Sequence, residues 1–168
     1  MIVAHYVGTH AKDSWSTRAG WWLTQKAQKG PYGHVTHCEA VHAVHGDGTV
    51  TIASSSLRDG GVRSKRCLLT AGNWMIVDVP QWDVDASITL LRSTAGLPYD
   101  LRGAIATQLP GNPQQGRWFC NEWVAAPFWH ASATFGPHQF AANTLSLGRD
   151  ITTEFFAQRA KPSLINPV

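Results

Sequence analysis

A hairpin written into residues 35–55 constrains this chain more than any other feature. Val35–His45 and Thr49–Ser55 are strand-like runs, and Gly46-Asp47-Gly48 joins them. Glycine tolerates positive φ, so the triplet predicts a tight turn and an antiparallel pair. Further strands are predicted at Met1–Val7 and at Trp74–Val79, the latter stopped by Pro80. Asp59-Gly60-Gly61 is a second turn. Helix signals surround these runs. Asp13 and Ser14 cap a helix over Trp15–Lys29, which Gly30-Pro31 ends. Asp83 or Asp85 opens another through Thr94, with Gly96 as its cap. The loop Leu97–Asp100 leads into a short helix to Leu109, and Pro110 to Gly116 is turn-rich. Trp118–Trp129 reads as a helix with Cys120 in its first turn. Pro137 starts one more, and the tail after Lys161 is irregular. Helices flanking a meander of strands imply an α+β fold, an antiparallel sheet packed against helices.

The 168 residues are read as a single domain, 1–168, long enough for a core that needs neither disulfide nor metal. Charged residues are 15% of the chain, below the usual ~25%, which excludes a highly charged disordered chain. The net charge is +3, and the one basic cluster, Arg63-Ser64-Lys65-Arg66, is too short for a nucleic-acid stripe. No run approaches the ~18 apolar residues of a membrane span. Met1–His10 lacks a signal-peptide pattern, so the expected location is cytoplasmic, with release to act on a cell wall as the alternative. Three cysteines without a CxxC pair argue against a disulfide framework and leave at least one thiol free. Eight tryptophans need a core or a groove to cover them, and Trp21-Trp22 is read as core.

Three constellations can carry chemistry. In Thr36-His37-Cys38-Glu39, strand alternation puts His37 and Glu39 on one face with Val41 and His45, and Cys38 on the other with His34 and His42. The first two are roughly 6.6 Å apart along the strand. A carboxylate there orients the imidazole and favours its charged form; the bland alternative is a pair of partly exposed sheet residues. In Arg117-Trp118-Phe119-Cys120-Asn121-Glu122-Trp123, a helix starting near Cys120 aims its dipole at the sulfur. With an imidazolium nearby, that yields a thiolate nucleophile. The Cys120 N–H then helps stabilise an oxyanion; the bland alternative is a buried structural thiol. In Gly96-Leu97-Pro98-Tyr99-Asp100, a rigid turn presents the Tyr99 hydroxyl as a donor to the same site, or merely covers the core with it. His34, His37, Cys38, His42 and His45 are dense, but alternation divides them between faces and no second ligand pair follows. No metal and no cofactor are therefore expected. Gly46/Gly48 and Gly60/Gly61 lack the GxxxxGK[ST] pattern of a phosphate loop.

The order is His on a strand, then a Tyr-Asp turn, then Cys opening a helix. It resembles the permuted NlpC-type papain-fold hydrolases, the YiiX-like group, in which His precedes Cys. The matching pieces are Thr36-His37-Cys38-Glu39, Gly96 to Asp100, Phe119-Cys120-Asn121-Glu122 and the stretch Ala53 to Arg63, so the likeness covers about residues 30–130. Asn121 stands where the family often has Ser. Some relatives place a carboxylate on the strand after the hairpin, where this chain has Thr49, Thr51, Ile52 and Ser54. The resemblance implies a papain-like domain with a Cys120–His37 nucleophile pair, Glu39 as the third member, and Tyr99 assisting at the oxyanion. It implies a peptide or other amide-containing substrate, often a peptidoglycan stem peptide in the family. An acyltransferase or lipid hydrolase on the same thiol, and a non-catalytic binding or structural module, are the alternatives.

Overall fold

The computed structural model describes residues 1–8, 18, 22, 25, 26, 30–106, 116–129 and 136–160. Its centre is a six-stranded sheet of β1 (Ile2–Tyr6), β2 (His37–Val44), β3 (Val50–Ser56), β4 (Gly61–Cys67), β5 (Trp74–Asp78) and β6 (Arg149–Asp150). The order is β4-β3-β2-β1-β5-β6, and every neighbouring pair is antiparallel. The predicted strands fall where expected to within two residues. They do not form a sequential meander, because β1 inserts between β2 and β5. β4 is an addition to the sequence reading. Its charged side chains are tied to the turns beside it, Lys65 to Asp59 at 2.9 Å and Arg66 to Asp47 at 2.7 Å.

Alternation divides the apolar residues between two faces of the sheet. Val3, Cys38, Ala40, Val77, Trp82, Cys120, Trp123 and Phe140 are buried on one face, and Ala4, Val41, Val50, Ile52, Ile76 and Phe155 on the other. Trp82 stacks on Phe128 with ring centroids 4.4 Å apart and meets Trp129 edge-on at 5.2 Å. A β-bulge corrects the predicted facing of His45. Val41 pairs with Ile52 and Ala43 with Thr51, which leaves His42 as the extra residue. The bulge resets the alternation, so Val44 opposite Val50 takes the Val41 face. His45 instead bonds Thr51 Oγ1 at 2.8 Å.

The helices are α1 (Val84–Thr94), α2 (Leu101–Ala106), α3 (Cys120–Ala125), α4 (Pro137–Leu147) and α5 (Thr152–Ala160). Asp83 caps α1 by accepting from the Asp85 N–H at 2.9 Å. Ala95, not Gly96, is the C-cap; Gly96 follows at φ +83°, the left-handed position that terminates a helix. The predicted Trp118–Trp129 helix is too long at both ends. Trp118 instead forms a bridge with Tyr99, Phe119 is extended at φ −105° and ψ 169°, and the helix stops at Ala125. Of the predicted Trp15–Lys29 helix, Arg18, Trp22, Gln25 and Lys26 are described and are helical. Its capping residues Asp13 and Ser14, Trp21, the end of the short helix at 107–109, most of 110–116 and the tail after 160 lie outside the described residues. Trp22 is not core. It is 58% exposed, with the Lys26 Nζ 5.9 Å from its ring centroid. Among the described residues no helix is long and apolar enough to cross a membrane.

Candidate active site

The site forms where two paired strands separate. Pairing of β2 with β3 reaches Ala40 opposite Ala53 and goes no further towards His37. Beyond that point His37, Cys38 and Glu39 pair with β1, and Ser54, Ser55 and Ser56 pair with β4. The start of α3 is anchored beside this parting: Ser55 Oγ donates to the Trp118 carbonyl at 2.5 Å, and Trp123 Nε1 donates to Thr94 Oγ1 at 2.9 Å. The Cys38 backbone N–H, spared from the β2–β3 ladder, is directed to the Cys120 sulfur.

His37 and Glu39 are 8% and 1% exposed, so the reading of partly exposed sheet residues fails. His37 Nε2 is 2.8 Å from Glu39 Oε1. On its far side Glu39 is clamped by Arg63, with Nη2 donating to Oε1 at 2.6 Å and Nη1 to Oε2 at 2.8 Å. This two-pronged pairing suits the guanidinium fork and neutralises a carboxylate that could not be buried alone. Burial opposes ionisation of Glu39, but His37 and Arg63 outweigh it and hold the carboxyl below its usual range. Burial likewise opposes a charged His37, yet Glu39 and the Cys120 sulfur raise it to about 9.

Cys120 and His37 are near enough to shift each other, the sulfur raising the imidazole and the imidazolium lowering the thiol. The ring nitrogen engaged by Glu39 is Nε2. Burial pushes the thiol up, but a hydrogen bond from the Cys38 thiol, the His37 charge and the Cys38 N–H hold it well below the usual cysteine range. Cys120 is the first residue of α3, as the sequence predicts, and β2 supplies the contacts that lower its thiol. Cys120 Sγ lies 3.0 Å from Asn121 Oδ1, to which a protonated thiol donates. A thiolate there would accept instead, which requires the Asn121 amide to exchange the positions of Oδ1 and Nδ2.

Tyr99 is clipped into place by β4. Val62 N–H donates to the Leu97 carbonyl at 2.9 Å, Tyr99 N–H to that of Gly60 at 3.1 Å, and Asp100 N–H to that of Trp118 at 2.9 Å. A Cβ at Gly61 would collide with the Leu97 carbonyl, so this close approach requires glycine. Burial, then the nearby Cys120 and Cys38 sulfurs, push the Tyr99 phenol well up, which keeps it a hydrogen-bond donor. A cavity of about 160 Å³ reaches His37 and Glu39 between Tyr6, Trp74, Ile52 and Leu69. Its lining stops short of Cys120, which is 2% exposed. Among the described residues no three His, Cys, Asp or Glu side chains are disposed to hold a metal ion.

The chain thus brings together Cys120, His37, Glu39 and Tyr99. Sequence reasoning missed Arg63, treated there as part of a basic run, and the second thiol, Cys38. The signal for Arg63 was available in outline, since a buried Glu39 needs a cation opposite it. Comparison with known protein families, with curated proteins and with solved structures found no match.

Proposed function

We propose that this protein is a cysteine hydrolase of amide bonds, a permuted papain-like enzyme of the NlpC type acting on peptides such as peptidoglycan stem peptides. The observation that carries this reading is the hydrogen-bonded chain His37–Glu39–Arg63 with the Cys120 sulfur beside its imidazole. It is the arrangement in which a base neighbours its nucleophile and is itself oriented by a third group. At neutral pH the low-lying thiol and the high-lying imidazole rest as a thiolate–imidazolium pair. The Cys120 sulfur attacks the amide carbon. The Cys120 N–H and the Tyr99 hydroxyl stabilise the oxyanion, and His37 gives its proton to the departing amine. Neutral His37 then takes a proton from water, which opens the thioester and releases the acid. Glu39, held by Arg63, keeps the imidazole in register and favours its charged form.

The decisive test is turnover of muropeptides and simple peptide amides by wild-type protein and by Cys120→Ala. Loss of a nucleophile that works with its base costs on the order of 10⁴–10⁶ in rate. The circular dichroism and melting of the variant should stay close to wild type. Undiminished turnover by Cys120→Ala overturns the assignment.

The 2% exposure of Cys120 favours a second reading, a binding module with a sheltered thiol. Iodoacetamide separates the two. Selective alkylation of Cys120 over Cys38 and Cys67 below pH 7 belongs to the hydrolase, and uniformly slow alkylation to the module.

A further inference from the structure

Cys120 shares its surroundings with a second thiol. The Cys38 side chain, on β2, lies in the same buried cluster as Cys120. Cys38 Sγ is 3.4 Å and Cys120 Sγ 3.0 Å from one and the same oxygen, Asn121 Oδ1. Each thiol also shifts the ionisation of the other. Cys67 is set apart, packed against the cluster on the other face of the sheet. No step of the proposed hydrolysis uses Cys38.

From this convergence we propose that Cys38 is the resolving thiol for Cys120, so that a hydroperoxide converts the pair into a reversible intramolecular disulfide. In the first step the Cys120 sulfur attacks one peroxide oxygen. An S–O bond forms and the O–O bond breaks. Sulfur loses two electrons to the peroxide, and the departing hydroxide or alkoxide takes the His37 proton. In the second step the Cys38 sulfur attacks the Cys120 sulfur. An S–S bond forms, the S–O bond breaks, and hydroxide leaves with the Cys38 proton as water. A dithiol restores both thiols by exchange. Without a resolving partner the sulfenic acid proceeds to sulfinic acid, which is lost for good. The bond joins β2 to α3 and consumes the nucleophile, so the pair is at once an off-switch and a safeguard. This inference rests on Cys120 being the reactive thiolate of the proposed hydrolase, but its test reads sulfur directly.

The full-length protein, reduced and then freed of reductant, is treated with hydrogen peroxide in slight excess. It is then blocked with N-ethylmaleimide and mapped by mass spectrometry. The expected product is one cross-link between the peptides carrying Cys38 and Cys120, two hydrogens lighter than the reduced pair and abolished by dithiothreitol, with Cys67 still alkylated. In Cys38→Ser the cross-link is absent, Cys120 is captured by dimedone as sulfenic acid, and further exposure takes it to sulfinic acid. Oxidation of wild-type Cys120 straight to sulfinic acid, a link through Cys67, or no reaction at Cys120 each overturns the proposal. The wild-type map stands even if Cys38→Ser folds poorly. A protein that forms the link but hydrolyses no amide retains the redox pair and loses the hydrolase; one that hydrolyses but never forms the link does the reverse.

Discussion

Two histidines of the β1–β2 pair, one register step apart, are held in opposite states of charge. His5 lies on β1 with Cys38 as its partner in register, and is completely buried. Burial, followed by repulsion from His37, lowers it to about 3. His37, nearly as buried, is raised to about 9. Burial alone pushes both rings the same way, so their neighbours decide the difference. His5 Nε2 meets only a neutral hydroxyl, Thr144 Oγ1, at 2.9 Å. That hydroxyl spends its own proton on the Ala141 carbonyl at 3.0 Å, so His5 Nε2 is the donor. His37 has a carboxylate on Nε2 and a sulfur nearby. One ring is held neutral as part of the packing; the other is held charged beside a nucleophile.

The largest effect should come from making the His37 surroundings resemble those of His5. Glu39→Gln removes the carboxylate while keeping its shape. Turnover should fall by about 10³–10⁴, as when the orienting acid of a triad is neutralised. The wild-type rate should decline as pH rises through about 9, where His37 loses its proton, and Glu39→Gln should move that decline to lower pH. The sign for stability is the same. His37 titrates at 6.5 when unperturbed, so its charge interactions stabilise the fold fully below that pH and are lost as pH rises through about 9. An unchanged alkaline limb in Glu39→Gln would show that Glu39 does not set the charge of His37.

A smaller effect is expected from Arg63→Met. It leaves Glu39 buried without its guanidinium, a loss that typically costs about 3–5 kcal/mol. Urea denaturation at pH 7 reads it directly, and a change below 1 kcal/mol would mean that water replaces the arginine. The smallest effect belongs to the His5 side. Thr144→Val strands the His5 N–H and should cost about 1–3 kcal/mol, while the alkaline limb of turnover stays in place. A shift of that limb would mean that the two histidines are more closely linked than their partners imply.

The local features of this fold were legible because local chemistry dictates them. Gly46-Asp47-Gly48 makes its turn, Asp83 caps its helix, and Pro137 opens another. β4 escaped notice because alternation gives it no apolar face: Arg63 and Lys65 fall on one side, Ser64 and Arg66 on the other. The place of β1 in mid-sheet is a long-range pairing that no local pattern encodes. His37 and Glu39 were legible as a same-face pair from period-two spacing. Their meeting with Cys120 came from resemblance, because nothing in the spacing of residues so far apart forces it. Alternation puts Cys38 on the face opposite His37, yet a strand that ends its pairing early brings its backbone and both of its faces within reach of one sulfur.

The charges of β4 have a consequence away from the site. This strand forms the last member of the sheet on its side, the position from which sheets tend to recruit strands of other molecules. Lys65 and Arg66 line it, engaged with Asp59 and Asp47. An incoming strand would have to strip water from these ions and crowd like charges together. A charged rim of this kind disfavours edge-to-edge stacking of the sheet.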